Sequence, residues 1–179
     1  TLTALNKLGL TPKDVQLRIL GGGAQITAAL LTGQIVAGAA SPPVNFQLDR
    51  AGFHSMATTL DQPYQNVGVV VRRSRIDELA NRLVPLLRAV RTGIDRYYSD
   101  KPFAIKVIGK YTRESDADFL ERTYEFFRKA GFRRDLMISA SGIQGILDFL
   151  SETVPEAKRA APAQFFDDRL LRQLNARDR

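Results

Sequence analysis

The spacing of apolar residues changes character at Arg73, and no other feature limits the possible folds so closely. Up to that point the chain alternates short strand-like and helix-like stretches, punctuated by glycine and proline. Beyond it the apolar residues recur at helical spacing. Strand, crossover helix and strand in that order predict a parallel sheet of the α/β class, because only a crossover of that kind returns the chain in the same direction. The expected architecture is therefore α/β, with residues 1–72 as an α/β lobe and residues 73–179 as a mainly helical C-terminal part packed on it.

The details follow from residue chemistry. Leu2, Leu5 and Leu8 line one face of a short helix stopped by Gly9, where a left-handed cap costs glycine little. Val15–Leu20 alternates like a strand, and Gly21-Gly22-Gly23 ends it. A small-residue helix runs from Ala24 to Leu31 and stops at Gly33. Ile35–Ala39 reads as a buried strand, and Val44–Arg50 as a helix ending near Gly52. Phe53–Thr58 and Asn66–Arg72 complete the strands. Later, Pro85 marks a boundary or kink within Ile76–Tyr98. Further helices start at Asp100-Lys-Pro102, Ser115–Asp118 and Ser141, and a last one spans Asp167–Leu174.

Composition narrows the chemistry. With 44% hydrophobic and 25% charged residues among 179, the chain can bury a core, and disorder throughout is not expected. It contains no cysteine, which removes disulfides, thiolate metal sites and cysteine nucleophiles. His54 is the only histidine, so a histidine-rich metal site is impossible, and no Gly-x-Ser-x-Gly turn accompanies it. Asp77-Glu78, Asp116 with Asp118, and Asp167-Asp168 all sit at helix starts, where carboxylates complement the dipole. No catalytic residue, metal or cofactor is expected, and the protein is not read as an enzyme. The formal net charge of +7 is spread among acidic residues rather than gathered in a patch, so no nucleic-acid partner is expected.

The glycine loop follows a strand pattern and opens a helix, as a dinucleotide fingerprint would. The third position of that fingerprint is Ile26, however, and Ala40-Ser41-Pro42-Pro43 stands where an acidic ribose ligand belongs. What remains is a backbone suited to a polar or anionic group. Gly22, Gly23 and Gln25 lie at one expected strand end, and Ser41, Pro42 and Asn45 at the next. These six are the expected ligand-binding residues.

In order and spacing, three stretches resemble the alkanesulfonate/taurine/nitrate-type solute-binding proteins of ABC importers, relatives of the thiamine-pyrimidine-binding proteins. They are Ala4–Val15, Ala28–Ala37 and Ser41-Pro42-Pro43. Tyr98–Pro102 and Phe165–Asp168 extend the likeness along the chain. One departure is Val36, where that family carries an aspartate. The resemblance implies a type II periplasmic-binding-protein-like fold lacking its N-terminal portion, and a small, possibly anionic, organic solute held in an interlobe cleft. It also implies an ABC permease as membrane partner and a periplasmic or membrane-anchored extracytoplasmic location. Two other readings share the scaffold: the effector-binding domain of a LysR-type regulator, and a biosynthetic enzyme. A signal peptide or a helix-turn-helix upstream would separate the first two.

Overall fold

The computed structural model describes residues 2–151 and 153–177. It is 59% helical, and among the described residues no strand forms. The expected α/β, type II periplasmic-binding-protein-like sheet is therefore absent. Val15–Leu20, Ile35–Ala39, Phe53–Thr58 and Asn66–Arg72 do not pair with one another. A strand is made by its neighbour's backbone, and none of these segments meets one. From Val15 to Leu20 and from Asn66 to Val71 no backbone N–H donates a hydrogen bond. Their apolar residues are not gathered onto a covered face either: Ile19 is fully exposed, Val36 is 97% exposed and Val70 91%.

Among the described residues eight α-helices carry the structure: α1 (Leu2–Lys7), α2 (Gly23–Leu31), α3 (Val44–Arg50), α4 (Ile76–Ser99), α5 (Lys101–Thr112), α6 (Ala117–Ala130), α7 (Ala140–Leu150) and α8 (Arg169–Arg177). The first three end in the same way. After α1, Gly9 N–H donates to Asn6 C=O and Leu10 N–H to Leu5 C=O, at 3.1 and 2.9 Å. Gly33 and Gly52 repeat the pattern after α2 and α3, and all three glycines have φ between 70° and 90°. This paired closure satisfies the last carbonyls and needs a residue at ease in the left-handed region. At the other ends, Asp116 Oδ1 accepts from the N–H groups of Asp118 and Phe119 ahead of α6, and Ser139 Oγ accepts from Gly142 N–H ahead of α7.

The chain divides into two compact units, each built from two separate stretches. One unit comprises Thr1–Thr59 and Lys101–Ala130. Its core joins Ala29 and Leu30 of α2, Phe46 and Leu48 of α3, Ala104 of α5, and Phe119 and Tyr124 of α6. Phe46 meets Phe126 edge-on at 6.4 Å, while Arg122 lies over Phe46 and Arg50 over Phe119. Arg50 also pairs with Asp116 at 2.8 Å, and Arg122 with Asp49 at 3.0 Å. The guanidinium groups thus lie over the aromatic faces while their N–H groups pair with carboxylates at the ring edges.

The other unit comprises Leu60–Asp100 and Gly131–Arg179. Leu83 of α4, Leu147 of α7 and Leu171 and Leu174 of α8 form its core, Leu174 being almost wholly enclosed. Asn175 ties it together: its Oδ1 accepts from Arg91 at 2.9 Å and its Nδ2 donates to Asp135 C=O at 3.0 Å. Pro85 neither ends nor divides α4, which runs for 24 residues through it. The segment at residues 63–65 lies against α7, where Gly142 and Gly145 admit it; a side chain at either would meet its backbone.

Candidate functional site

The six residues expected at a ligand site all fall in the first unit: Gly22, Ser41 and Pro42 on the two loops that precede α2 and α3, and Gly23, Gln25 and Asn45 in the first turns of those helices. Gly22 is the N-cap of α2, with extended backbone and no side-chain cap, and α2 has no acidic residue in its first turn. The N–H groups of Gly23, Ala24 and Gln25 therefore begin the helix without an intrahelical partner, at the positive end of its dipole. Gln25 folds back over the loop: its Oε1 lies 3.3 Å from the point where a Cβ on Gly22 would stand. Gly21 makes the turn before them with φ +90°.

The second loop carries exposed Ser41, then Pro42-Pro43 joined by a cis peptide bond. Ser41 C=O accepts from Asn45 N–H at 3.3 Å. Asn45 Oδ1 is shielded from solvent and has no hydrogen-bond partner among the described residues. A shielded amide oxygen normally finds a donor, so this one has an acceptor position to offer.

The structure brings these two loops to the same place. A Cβ on Gly23 would lie 3.6 Å from Val44 Cγ2, so the start of α2 lies against the start of α3. Gly38 contributes to the placement. Its Cα packs onto α2 so closely that a Cβ would lie 2.7 Å from Ile26 Cγ2. Neither Val44 nor Gly38 stands out in the sequence, since a small residue in Val36-Ala-Gly-Ala-Ala40 carries no chemistry. The adjacency comes from helix packing, and not from the strand ends on which the sequence argument relied.

Charged side chains stand at the other end of α3. Gln47 Nε2 donates to Glu114 Oε2 at 2.7 Å. The N–H of Asp116, then the Gln47 amide, hold the Glu114 carboxyl below its ordinary range. The Arg50 guanidinium does the same for Asp116, helped by the Phe119 N–H. These groups fasten α3 to the α5–α6 region, and neither α2 nor α3 has an acidic residue in its first turn.

Elsewhere there is little chemistry. His54 is exposed and lies outside any helix. Among the described residues no cluster of His, Cys, Asp and Glu could hold a metal, and no helix is long and apolar enough to cross a membrane. A groove of about 510 Å³ is lined by Phe103, Lys106, Val107, Lys110 and Tyr111. All five belong to one face of α5, so no second wall encloses a small molecule there, and none of the six candidate residues lines it.

Comparison with protein-family models, curated proteins and solved structures finds no match. The resemblance drawn above therefore rests on the sequence motifs alone.

Proposed function

We propose that this chain is the solute-recognition part of an extracytoplasmic, periplasmic receptor that serves an ABC importer and binds a small anionic organic solute without transforming it. The observation that carries the reading is the junction of the two loops. Uncapped N–H groups at the start of α2 and the unpartnered Asn45 Oδ1 belong to neighbouring segments joined by the Gly23–Val44 contact. The helix start offers donors and positive potential to an anionic head, and Asn45 offers an acceptor to a polar hydrogen on the solute. Ser41 supplies a hydroxyl at the exposed edge, and Pro42 with Pro43 limits the freedom that this loop loses on binding.

Calorimetric titration with taurine, a hydroxyalkanesulfonate, a longer alkanesulfonate and an aromatic carboxylic acid tests the reading. At least one should bind. Ser41→Ala should then weaken it several-fold, up to about tenfold, the loss of one hydrogen bond at an exposed edge. Asn45→Leu removes an acceptor that has no partner among the described residues, so it should weaken binding of taurine, whose ammonium can donate to it, while leaving the thermal midpoint unchanged or higher. Absence of binding by all four solutes, or wild-type affinity in both variants, would overturn the proposal.

A further inference from the structure

Helix α5 is apolar on two sides, and among the described residues only one of them is covered. Ala104 is buried, and a Cβ on Gly109 would lie 3.3 Å from Leu120 Cδ1, so that side packs against α6. The other side presents Phe103, Lys106, Val107, Lys110 and Tyr111, spaced as one stripe of a helix. Phe103 is 37% exposed and Tyr111 77%. At 1.5 Å per residue the stripe runs for about 12 Å.

The charge on this stripe is uncompensated, and that sets it apart within its unit. Three other cations there lie over aromatic rings and also meet carboxylates. Arg50 over Phe119 pairs with Asp116, Arg122 over Phe46 with Asp49, and Lys101 over Tyr124 with Glu121 and Glu125. Lys110 lies 5.5 Å from the centre of the Tyr111 ring, yet neither it nor Lys106 has a carboxylate partner among the described residues. Helix α5 itself contains no acidic residue. On α6, Asp118, Glu121 and Glu125 are already engaged by Arg50 and Lys101. Exposed Arg113, directly after α5, adds a third cation without a carboxylate.

We propose that this face of α5 docks on an anionic lipid membrane, with Lys106 and Lys110 against lipid phosphates and Phe103 and Tyr111 in the headgroup layer. The matching partner must bring negative charge to two cations and apolar surface to the strip between them, and a bilayer of anionic lipid brings both. Lysine stems lie along apolar surface while their ammonium groups reach outward, and aromatic rings settle at the headgroup boundary. The shape agrees. A ridge made by one helix needs a deformable surface, whereas a folded acidic protein would need a groove cut to fit it. Single-stranded nucleic acid stacks its bases on aromatic faces, and here the Lys110 ammonium already lies over Tyr111. Each cation near an anionic surface strengthens binding roughly fivefold. Two or three of them with two rings make a reversible contact rather than a permanent anchor.

Flotation with phosphatidylcholine vesicles, with and without phosphatidylglycerol, at low and high sodium chloride is the test. The protein should float with the anionic vesicles alone and be released as the Debye length falls from about 10 Å at 0.1 M to about 3 Å at 1 M. Lys106→Gln/Lys110→Gln should lower the partition coefficient roughly twentyfold, the product of two such factors. Tyr111→Ser, which leaves the charge unchanged, should lower it several-fold. Lys13→Gln/Lys129→Gln removes the same charge from exposed positions elsewhere in the unit and should bind as wild type does. The chain has no tryptophan, so Tyr111→Trp places a single reporter whose emission should shift to the blue on anionic vesicles. Each variant is first matched to wild type by far-ultraviolet circular dichroism. No binding to anionic vesicles, equal loss in the Lys13/Lys129 variant, or unchanged emission from residue 111 in the vesicle-bound protein would each overturn the proposal. So would displacement from the vesicles by oligothymidylate or polyglutamate at matched charge, which would assign the face to a nucleic acid or an acidic protein.

Discussion

One substitution made at two glycines should move stability in opposite directions. Gly93 and Gly145 both lie inside helices, α4 and α7. A methyl group on Gly93 meets nothing within 4 Å, whereas one on Gly145 would overlap the carbonyl oxygen of Pro63. At Gly93 only helix propensity acts, and alanine should stabilise by about 1 kcal/mol. At Gly145 the same gain is opposed by overpacking against main chain, which costs about 1–3 kcal/mol. The net should be a loss of up to about 2 kcal/mol once the propensity gain of about 1 kcal/mol is subtracted. Urea unfolding followed by the helical circular dichroism signal measures both. With a slope of about 2 kcal/mol per molar, Gly93→Ala should raise the midpoint by about 0.5 M and Gly145→Ala lower it by up to about 1 M. The slopes themselves should stay constant. Gly142→Ala should behave like Gly145→Ala, because its Cβ would lie 2.7 Å from Gln65 N. If Gly145→Ala raised the midpoint as Gly93→Ala does, residues 63–65 would not lie against α7, and the account of that contact would fail.

Other expectations concern single interactions. Tyr98 Oη accepts from Phe132 N–H at 2.7 Å and stands 3.2 Å from Phe132 C=O as a donor; Tyr98→Phe should cost about 1 kcal/mol by urea unfolding, and a neutral result would show that water replaces the hydroxyl. The Arg133 guanidinium, with the Met137 N–H, holds the Asp135 carboxyl below its ordinary range, and Arg169 does so for Asp167. A carboxyl with a depressed folded pKa contributes stability that is complete above its unfolded pKa, about 4, and is lost as pH falls through the folded value. The thermal midpoint should therefore drop on acidification below about pH 4, and Asp135→Asn should show a shallower drop from a lower starting point. An Asp135→Asn profile parallel to wild type would refute this assignment.

Helix ends were legible in the sequence because their determinants are local. Gly9, Gly33 and Gly52 close helices through bonds that span no more than five residues, and Asp116 caps α6 from within its own turn. Strands were not legible in the same sense. The alternation in Val15–Leu20 shows how side chains would divide between two faces, but not whether a neighbouring backbone exists, and within the described residues none does. Pro85 misled for a related reason. It removes one backbone donor, a local cost, while twenty-three other residues of α4 continue the helix. As for the candidate site, glycine, proline and amide chemistry pointed to two loops, whereas their adjacency depends on Val44 and Gly38, which carry only shape.

Each compact unit is interrupted in the chain by part of the other: residues 60–100 separate the two stretches of the first, and residues 101–130 those of the second. During synthesis the first unit cannot close before residue 130 has left the ribosome, so α1 to α3 wait with Phe46 uncovered until α6 arrives. The second must hold α4 unpartnered until α8, near the end of the chain, supplies Leu171 and Leu174. Closing loops of these lengths carries an entropic cost that grows only slowly with length. The larger consequence is vectorial: α8 must emerge before the second unit can fold, and no single backbone cut can release either unit as a continuous polypeptide.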